Sequence, residues 1–285
     1  MLNRMILGLS FPLMLVAACD DSEPVMLELE LTNVPDLGAD FVYEGWLVTA
    51  DGPVSSGRFT VSESGVLSPS SFEIDDVLAD EATAFVLTIE PAAGDDPAPA
   101  ETHLLAGTMS ADSAELTTSD AAALGTNFAS ATGSYILATP STANDDTDNT
   151  QGIWWLAPGG PSASLALPAL PNGWLYEGWV VGGDGPVSTG TFAAPNATDS
   201  DGAGSAAGPD SAPPFPGQDF IDPEMDLIGG AAVVSVEPDP DNSPAPFIIK
   251  PLVDDDIEAL TPPAAQDMAN NAAATLPAGT ATVMR

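Results

Sequence analysis

Four carboxylates recur at matched places in this chain. Glu44 and Glu90 sit in "FVYEGWLV" and "FVLTIEPAAGDDPAP", and Glu177 and Glu237 sit in "WLYEGWVV" and "AVVSVEPDPDNSPAP". A pair of carboxyl groups facing each other across a cleft can serve as acid and base on a glycosidic bond, so the recurrence raises a glycosidase-type reading. Two facts weigh against it. Spacing along the chain fixes no distance in space, and a chain with 42 acidic residues offers many such pairs. Glu90 also precedes Pro91 at the start of a turn, where a carboxylate commonly accepts local N–H hydrogen bonds. His103 is the single histidine, and its counterpart in the second copy is Lys250. The copies therefore share no catalytic histidine, and His103 reads as a surface residue. No catalytic residue is expected.

Metal chemistry is constrained in the same way. With one cysteine and one histidine, thiolate and His-Cys zinc sites are excluded. Four stretches are oxygen-rich: "NDDTDN" from Asn144, "DSDG" from Asp199, "DPDN" from Asp239 and "DDDIE" from Asp254. Calcium takes six to eight oxygen ligands, but none of these matches an EF-hand loop. The expectation is no cofactor, with weak Ca²⁺ binding to acidic loops and no metal ligand assigned. The remaining chemistry-bearing residues are aromatic. Trp46 and Trp179 recur beside Glu44 and Glu177, on strands whose alternation places Trp46 on one face with Val42, Glu44 and Val48. Each tryptophan reads either as a core anchor, a common feature of β-sandwiches, or as a binding platform. Glu44, Trp46, Glu90, Glu177, Trp179 and Glu237 are thus the candidate binding or core residues.

The ends and the charge set the context. "MLNRMILGLSFPLMLVAAC" has a basic residue, Arg4, then an apolar run too short to persist as a membrane span, then small residues before Cys19. The ending Val16-Ala17-Ala18-Cys19 resembles the lipobox of bacterial lipoproteins, which implies a signal peptide over residues 1–18 and lipidation of Cys19. Acyl chains would then anchor the protein by burying CH₂ groups at about 0.8 kcal/mol each. Four basic residues against 42 acidic ones give a net charge of −38. Nucleic-acid binding by a basic face is excluded by that balance. Screening by salt would mute the self-repulsion.

The carboxylates and tryptophans must be positioned by a duplicated element. "FVYEGWLVTADGPVSSGRF" from Phe41 and "WLYEGWVVGGDGPVSTGTF" from Trp174 agree at 12 of 19 positions, at an offset of 133. The "EP…PAP" blocks recur at an offset of 147, so the second copy carries 14 extra residues, in the Gly/Pro/Ala/Ser-rich stretch "AAPNATDSDGAGSAAGPDSAPPFPG". That stretch reads as an exposed loop. "MLELELTNVP" alternates as a half-buried edge strand, with "SLALPALP" as its counterpart. "GSYILATP" closes the first copy and "GTATVMR" the second, and "QGIWWLAP" adds a strand-like segment whose Trp154 and Trp155 are expected at a sheet edge or an interdomain contact. Short helices are expected in "TSDAAALG", capped by Ser119, and in "PPAAQDMANNAAA".

The order "YEGWLV", "GRF", "FVLTIEPAAGDDPAP" and "HLLAG" resembles the extracytoplasmic C-terminal domain of anti-sigma-K factors (RskA-like), here in both copies. That family places the domain after a cytoplasmic helical region and a membrane span, neither of which is expected from this sequence, so the resemblance implies a fold and a setting and not sigma binding. The reading is an all-β chain of two tandem antiparallel immunoglobulin-like β-sandwich domains behind a lipoprotein signal peptide. Its divisions are a signal at 1–18, a lipid-anchored linker at 19–24, and domains at 25–158 and 159–285. The function expected is a non-enzymatic interaction or sensory-accessory module of the cell envelope, in the periplasm or at the cell surface. Its expected partners are the membrane, through the lipid anchor, and an envelope protein. The alternative is a structural or calcium-dependent adhesion component.

Overall fold

Strand-forming patterns dominate the sequence, and the computed structural model, which describes residues 24–159, 162–241 and 243–285, turns them into two antiparallel sheets. Residues 1–18, Cys19 and most of the expected linker lie outside the described residues, as do Gly160, Pro161 and Asn242. In the first half the strands are β1 (Met26–Thr32), β2 (Phe41–Thr49), β3 (Gly52–Val61), β4 (Leu67–Ser68), β5 (Ser71–Glu73), β6 (Ala84–Pro91), β7 (His103–Thr108) and β8 (Ser113–Thr117). Then come β9 (Gly133–Leu137), β10 (Gly152–Trp154), β11 (Trp174–Gly182), β12 (Gly185–Phe192) and β13 (Gly217–Asp219). The last are β14 (Ala231–Pro238), β15 (Leu252–Asp254), β16 (Ala265–Asn270) and β17 (Ala278–Met284). Among the described residues no helix is long and apolar enough to cross a membrane.

The first sheet runs β4-β3-β2-β6-β7-β8-β17-β1-β5, and the second β12-β11-β14-β15-β16-β9-β10-β13. Apart from the two-residue β4, the orders correspond strand for strand. Each sheet curls until its ends approach: Phe59 of β3 packs on Phe72 of β5 with ring centroids 6.0 Å apart. This gives two all-β units of sandwich or barrel-like form.

The correspondence also shows an exchange. β17, the end of the second repeat, fills in the first sheet the place that β9, the end of the first repeat, fills in the second. β17 pairs with β1 on one side, Leu29 opposite Ala281, and with β8 on the other, Ala114 opposite Ala281. β9 pairs with β16 and β10. "GSYILATP" thus ends the first repeat but pairs in the second sheet, and "GTATVMR" ends the second repeat but pairs in the first. Sheet membership crosses the expected division at 158/159, because β9 and β10 belong to the second sheet and β17 to the first. Alternation of side chains specifies which face a strand buries, not which neighbour it joins.

Other local expectations change for similar reasons. β1 buries Leu27 and Leu29 as its alternation predicts, but it lies between β17 and β5 and is not an edge. Its counterpart is β10, whereas "SLALPALP" makes only one isolated bridge, from Ala166 to Thr132. "TSDAAALG" forms turns, with Asp120 accepting from the Ala122 N–H and Ser119 not acting as a cap. Most of "AAQDMAN" is β16, with Gln266 and Met268 buried in alternation, and only Ala272–Thr275 is helical. The longest helix among the described residues, Asp76–Glu81, is capped by the Asp75 carboxylate accepting from the Val77 and Leu78 N–H groups. The inserted loop is folded inward: Phe215, Ala203 and Ala212 pack on Trp154 and Ile136.

Candidate functional site

Strand β2 presents Tyr43, Gly45 and Leu47 to the main core and Val42, Glu44, Trp46 and Val48 to the opposite face. β11 does the same with Tyr176, Gly178 and Val180 against Glu177 and Trp179. The two glycines leave room for an aromatic ring. A Cβ on Gly45 would lie 2.7 Å from the Phe85 ring, and one on Gly178 would lie 2.3 Å from the Trp155 ring. Trp155 is thus core, and Trp154 sits within the second sheet with its Nε1 donating to Asp219 Oδ1 at 2.6 Å, so neither is at a sheet edge. Beside these glycines both hairpins shift register, between Gly45 and Trp46 and between Glu177 and Trp179. The bulges contain Gly57 and Gly190, at φ 134° and 96°.

The bulge sets up the carboxylates. In the first unit Ser55 Oγ donates to Glu44 Oε1. Trp46 Nε1 donates to Thr88 Oγ1 at 2.9 Å, and that hydroxyl donates to Glu90 Oε1. The Ala100 N–H donates to the same oxygen at 2.8 Å. In the second unit Ser188 Oγ donates to Glu177 Oε1, Trp179 Nε1 donates to Ser235 Oγ at 2.8 Å, and Ser235 donates to Glu237 Oε1, which also accepts from the Phe247 N–H at 2.8 Å. All four carboxylates are buried, Glu90 and Glu237 at 1% exposure and Glu44 and Glu177 at 6% and 5%. The duplicated phrase therefore encodes a polar chain of indole, hydroxyl and carboxylate on the face away from the main core. Trp46 is itself buried there, in a small cluster with Val86, Ala106 and Ala123.

The two copies differ in their countercharge. Arg58 stands opposite Glu44 on β3, its Nε 3.4 Å from Glu44 Oε2 and its Nη2 3.6 Å from Asp95 Oδ2. The residue opposite Glu177 on β12 is Thr191. There, carboxylate oxygens of Glu177, Glu237 and Asp241 lie within 4.8 Å of one another. Burial pushes both Glu177 and Glu237 up to about 7, against the lowering effect of their serine hydroxyls. Burial raises Glu90 as well, opposed by the Thr88 hydroxyl and the Ala100 N–H. Burial lowers Lys250, with the Glu237 charge working against it. A cleft of about 480 Å³ opens onto Glu177, Glu237, Asp241 and Thr191, and a second, of about 600 Å³, lies between residues 35–41 and 238–250.

His103 stands apart as a half-buried residue with Nδ1 2.8 Å from the Ala122 carbonyl. Sequence reasoning passed over Ser55 and Ser188, although they are identical in the duplicated phrase, and over Arg58, although it is a position where the copies differ. Asp219, which accepts from Trp154 and from the Ser141 N–H (2.9 Å) and hydroxyl (2.5 Å), and Asp199, which accepts from the Gly217 N–H, are buried without any repeat signal.

Residues 14–104 match the family model described as anti-sigma-K factor RskA, C-terminal, a span that reaches from before β1 into β7. No curated protein and no solved structure matches the chain.

Proposed function

We propose, from the match of residues 14–104 to the C-terminal region of an anti-sigma factor, that this chain is a non-enzymatic, lipid-anchored protein of the cell envelope. On this reading it serves as an interaction or sensory-accessory module facing away from the cytoplasm. The family match carries the reading, and the second copy extends it, since β10–β15 repeat the strand order of the matched region apart from β4. The burial of the four recurring carboxylates supports a structural use of these groups: each has one oxygen committed to a neighbouring hydroxyl. The signal-like stretch ending in Cys19 supports attachment to a membrane through lipid.

The test is cross-linking in native envelopes followed by affinity purification of the full chain, with palmitate labelling of wild type and Cys19→Ser. The expected result is label on the wild type only, release of the variant to the soluble fraction, and one envelope protein recovered with both. Label-free wild-type protein, or a chain recovered alone under cross-linking, counts against the reading. A second reading, a calcium-dependent adhesion component, is favoured by one observation, the convergence of Glu177, Glu237 and Asp241.

A further inference from the structure

The first unit sets the Arg58 guanidinium beside the carboxylates of Glu44 and Asp95, whereas the second gathers three carboxylates with Thr191 in the place of the arginine. Glu44 Oε2 faces Arg58 Nε at 3.4 Å. The equivalent oxygen in the second unit, Glu177 Oε2, has no hydrogen-bond partner; Glu237 Oε2 has none either, as is also true of its counterpart Glu90 Oε2, so the Glu177 position is where the units differ. Both residues are more than nine-tenths buried. An unpaired ionised carboxylate removed from water is costly unless a positive charge or a proton meets it. Here two carboxylates with an unpartnered oxygen, Glu237 having Lys250 as its charged neighbour, join Asp241 in bringing oxygens within 4.8 Å of one another, at the wall of a cleft open to solvent.

We propose that Glu177, Glu237 and Asp241 form a calcium site in the second unit, in the place that Arg58 fills in the first. The donor set is all oxygen, which suits a hard cation. Oxygens within 4.8 Å of one another can share one ion at calcium–oxygen distances of about 2.3–2.6 Å, whereas magnesium at about 2.0–2.1 Å demands near-ideal octahedral geometry and gives up its water reluctantly. Water from the cleft completes the coordination shell. The serine hydroxyls on Glu177 Oε1 and Glu237 Oε1 hold each carboxylate so that its other oxygen is left for the ion. This site is independent of the envelope-partner reading above and stands or falls separately from it.

The experiment uses the full chain, stripped with chelator and kept in 150 mM NaCl to suppress diffuse binding to the acidic surface. Calorimetric titration with CaCl₂ is expected to give one saturable ion per chain and a rise of several degrees in melting temperature, with MgCl₂ at least ten-fold weaker. Glu237→Gln is expected to weaken calcium at least ten-fold. Because that variant could also perturb folding, Thr191→Arg provides a second arm. It installs the first unit's guanidinium opposite Glu177, and is expected to raise the melting temperature in chelator while weakening calcium at least ten-fold. Absence of saturable binding in the wild type overturns the proposal, and so does calcium affinity unchanged in both variants.

Discussion

Trp46 and Trp179 work as hydrogen-bond donors as much as apolar bulk. Each indole N–H ends on a hydroxyl, Thr88 or Ser235, that in turn binds a buried glutamate. Replacing Trp46 with Phe keeps a ring in the Val86–Ala106–Ala123 cluster and removes the donor, an expected loss of about 1–2 kcal/mol. Trp46→Ala is expected to cost about 3–5 kcal/mol. Urea melts of the two variants check this, and a Trp46→Phe variant as stable as the wild type would mean that the indole N–H contributes nothing to stability. Protonation of the second unit's carboxylates gives a further expectation. Glu177 and Glu237, at about 7 in the fold against 4.5 for an ordinary glutamate, hold more protons folded than unfolded. Their contribution to stability is full below about pH 4.5 and is lost as pH climbs through about 7. Thermal melts in chelator are therefore expected to fall between pH 5 and 8, by on the order of 1–3 kcal/mol for the pair. Glu237→Gln, neutral at every pH, is expected to flatten that slope. A slope unchanged by the substitution would assign the pH dependence to other groups.

At the scale of elements, the bulge governs the site. Gly57 has φ 134°, and a Cβ there would lie 2.4 Å from the Phe72 ring. It therefore fixes both the kink in β3 and the meeting of β3 with β5 where the sheet curls. Gly57→Ala meets backbone strain and overpacking together, each of order 1–3 kcal/mol. Its expected effect is a first-unit destabilisation of about 2–5 kcal/mol, read by calorimetry as a low-temperature transition that separates from the second unit. Gly52 is a useful control, since it also has positive φ, 122°, but nothing lies within 4 Å of its would-be Cβ. Gly52→Ala is expected to cost less than Gly57→Ala, and a reversal of that order would remove Phe72 from the explanation. The inserted loop is also an element with work to do: Asp199 binds the Gly217 N–H at 2.8 Å, and Asp201 lies where a Cβ on Gly190 would reach.

For the whole molecule, the decisive feature is β17. It inserts between β8 and β1 with seven register pairs to β1 and five to β8. Beyond it, Arg285 reaches Asp76, Asp80 and Asp112 at 2.7, 2.6 and 3.3 Å. The C-terminus thus closes the unit that holds the N-terminal strand. Truncation after Pro277 is expected to unfold the first unit and leave the second standing, because residues 133–270 contain every strand of the second sheet. Hydrogen exchange checks this: amides of β2 and β6 should lose protection and those of β11 and β14 keep it. A synthetic peptide of residues 276–285 is expected to restore the lost protection. Loss confined to the second unit would refute the exchange. The exchange also ties the two repeats into one apolar cluster that extends from Leu27 and Tyr43 to Tyr176 and Val236.

The sequence by itself determined the all-β class, the duplication, the faces of β1, β2 and β11, and the identity of the recurring residues. These are local properties: alternation sets a strand's faces, and a repeated phrase repeats its local geometry. Glu44 and Glu177 beside a tryptophan were legible as groups that need a partner, and the partners Ser55 and Ser188 stood unread within the same phrase. The position that separates the copies, Arg58 against Thr191, was legible as a difference but not as a missing charge. Tertiary structure alone decided that Asp241 swings to meet Glu177 and Glu237, that β17 and β9 trade places, and that Trp155 covers Gly178. Each of these joins residues far apart in sequence through packing or pairing that no local pattern encodes, because neighbour choice in a sheet depends on which edge is available once the rest has formed.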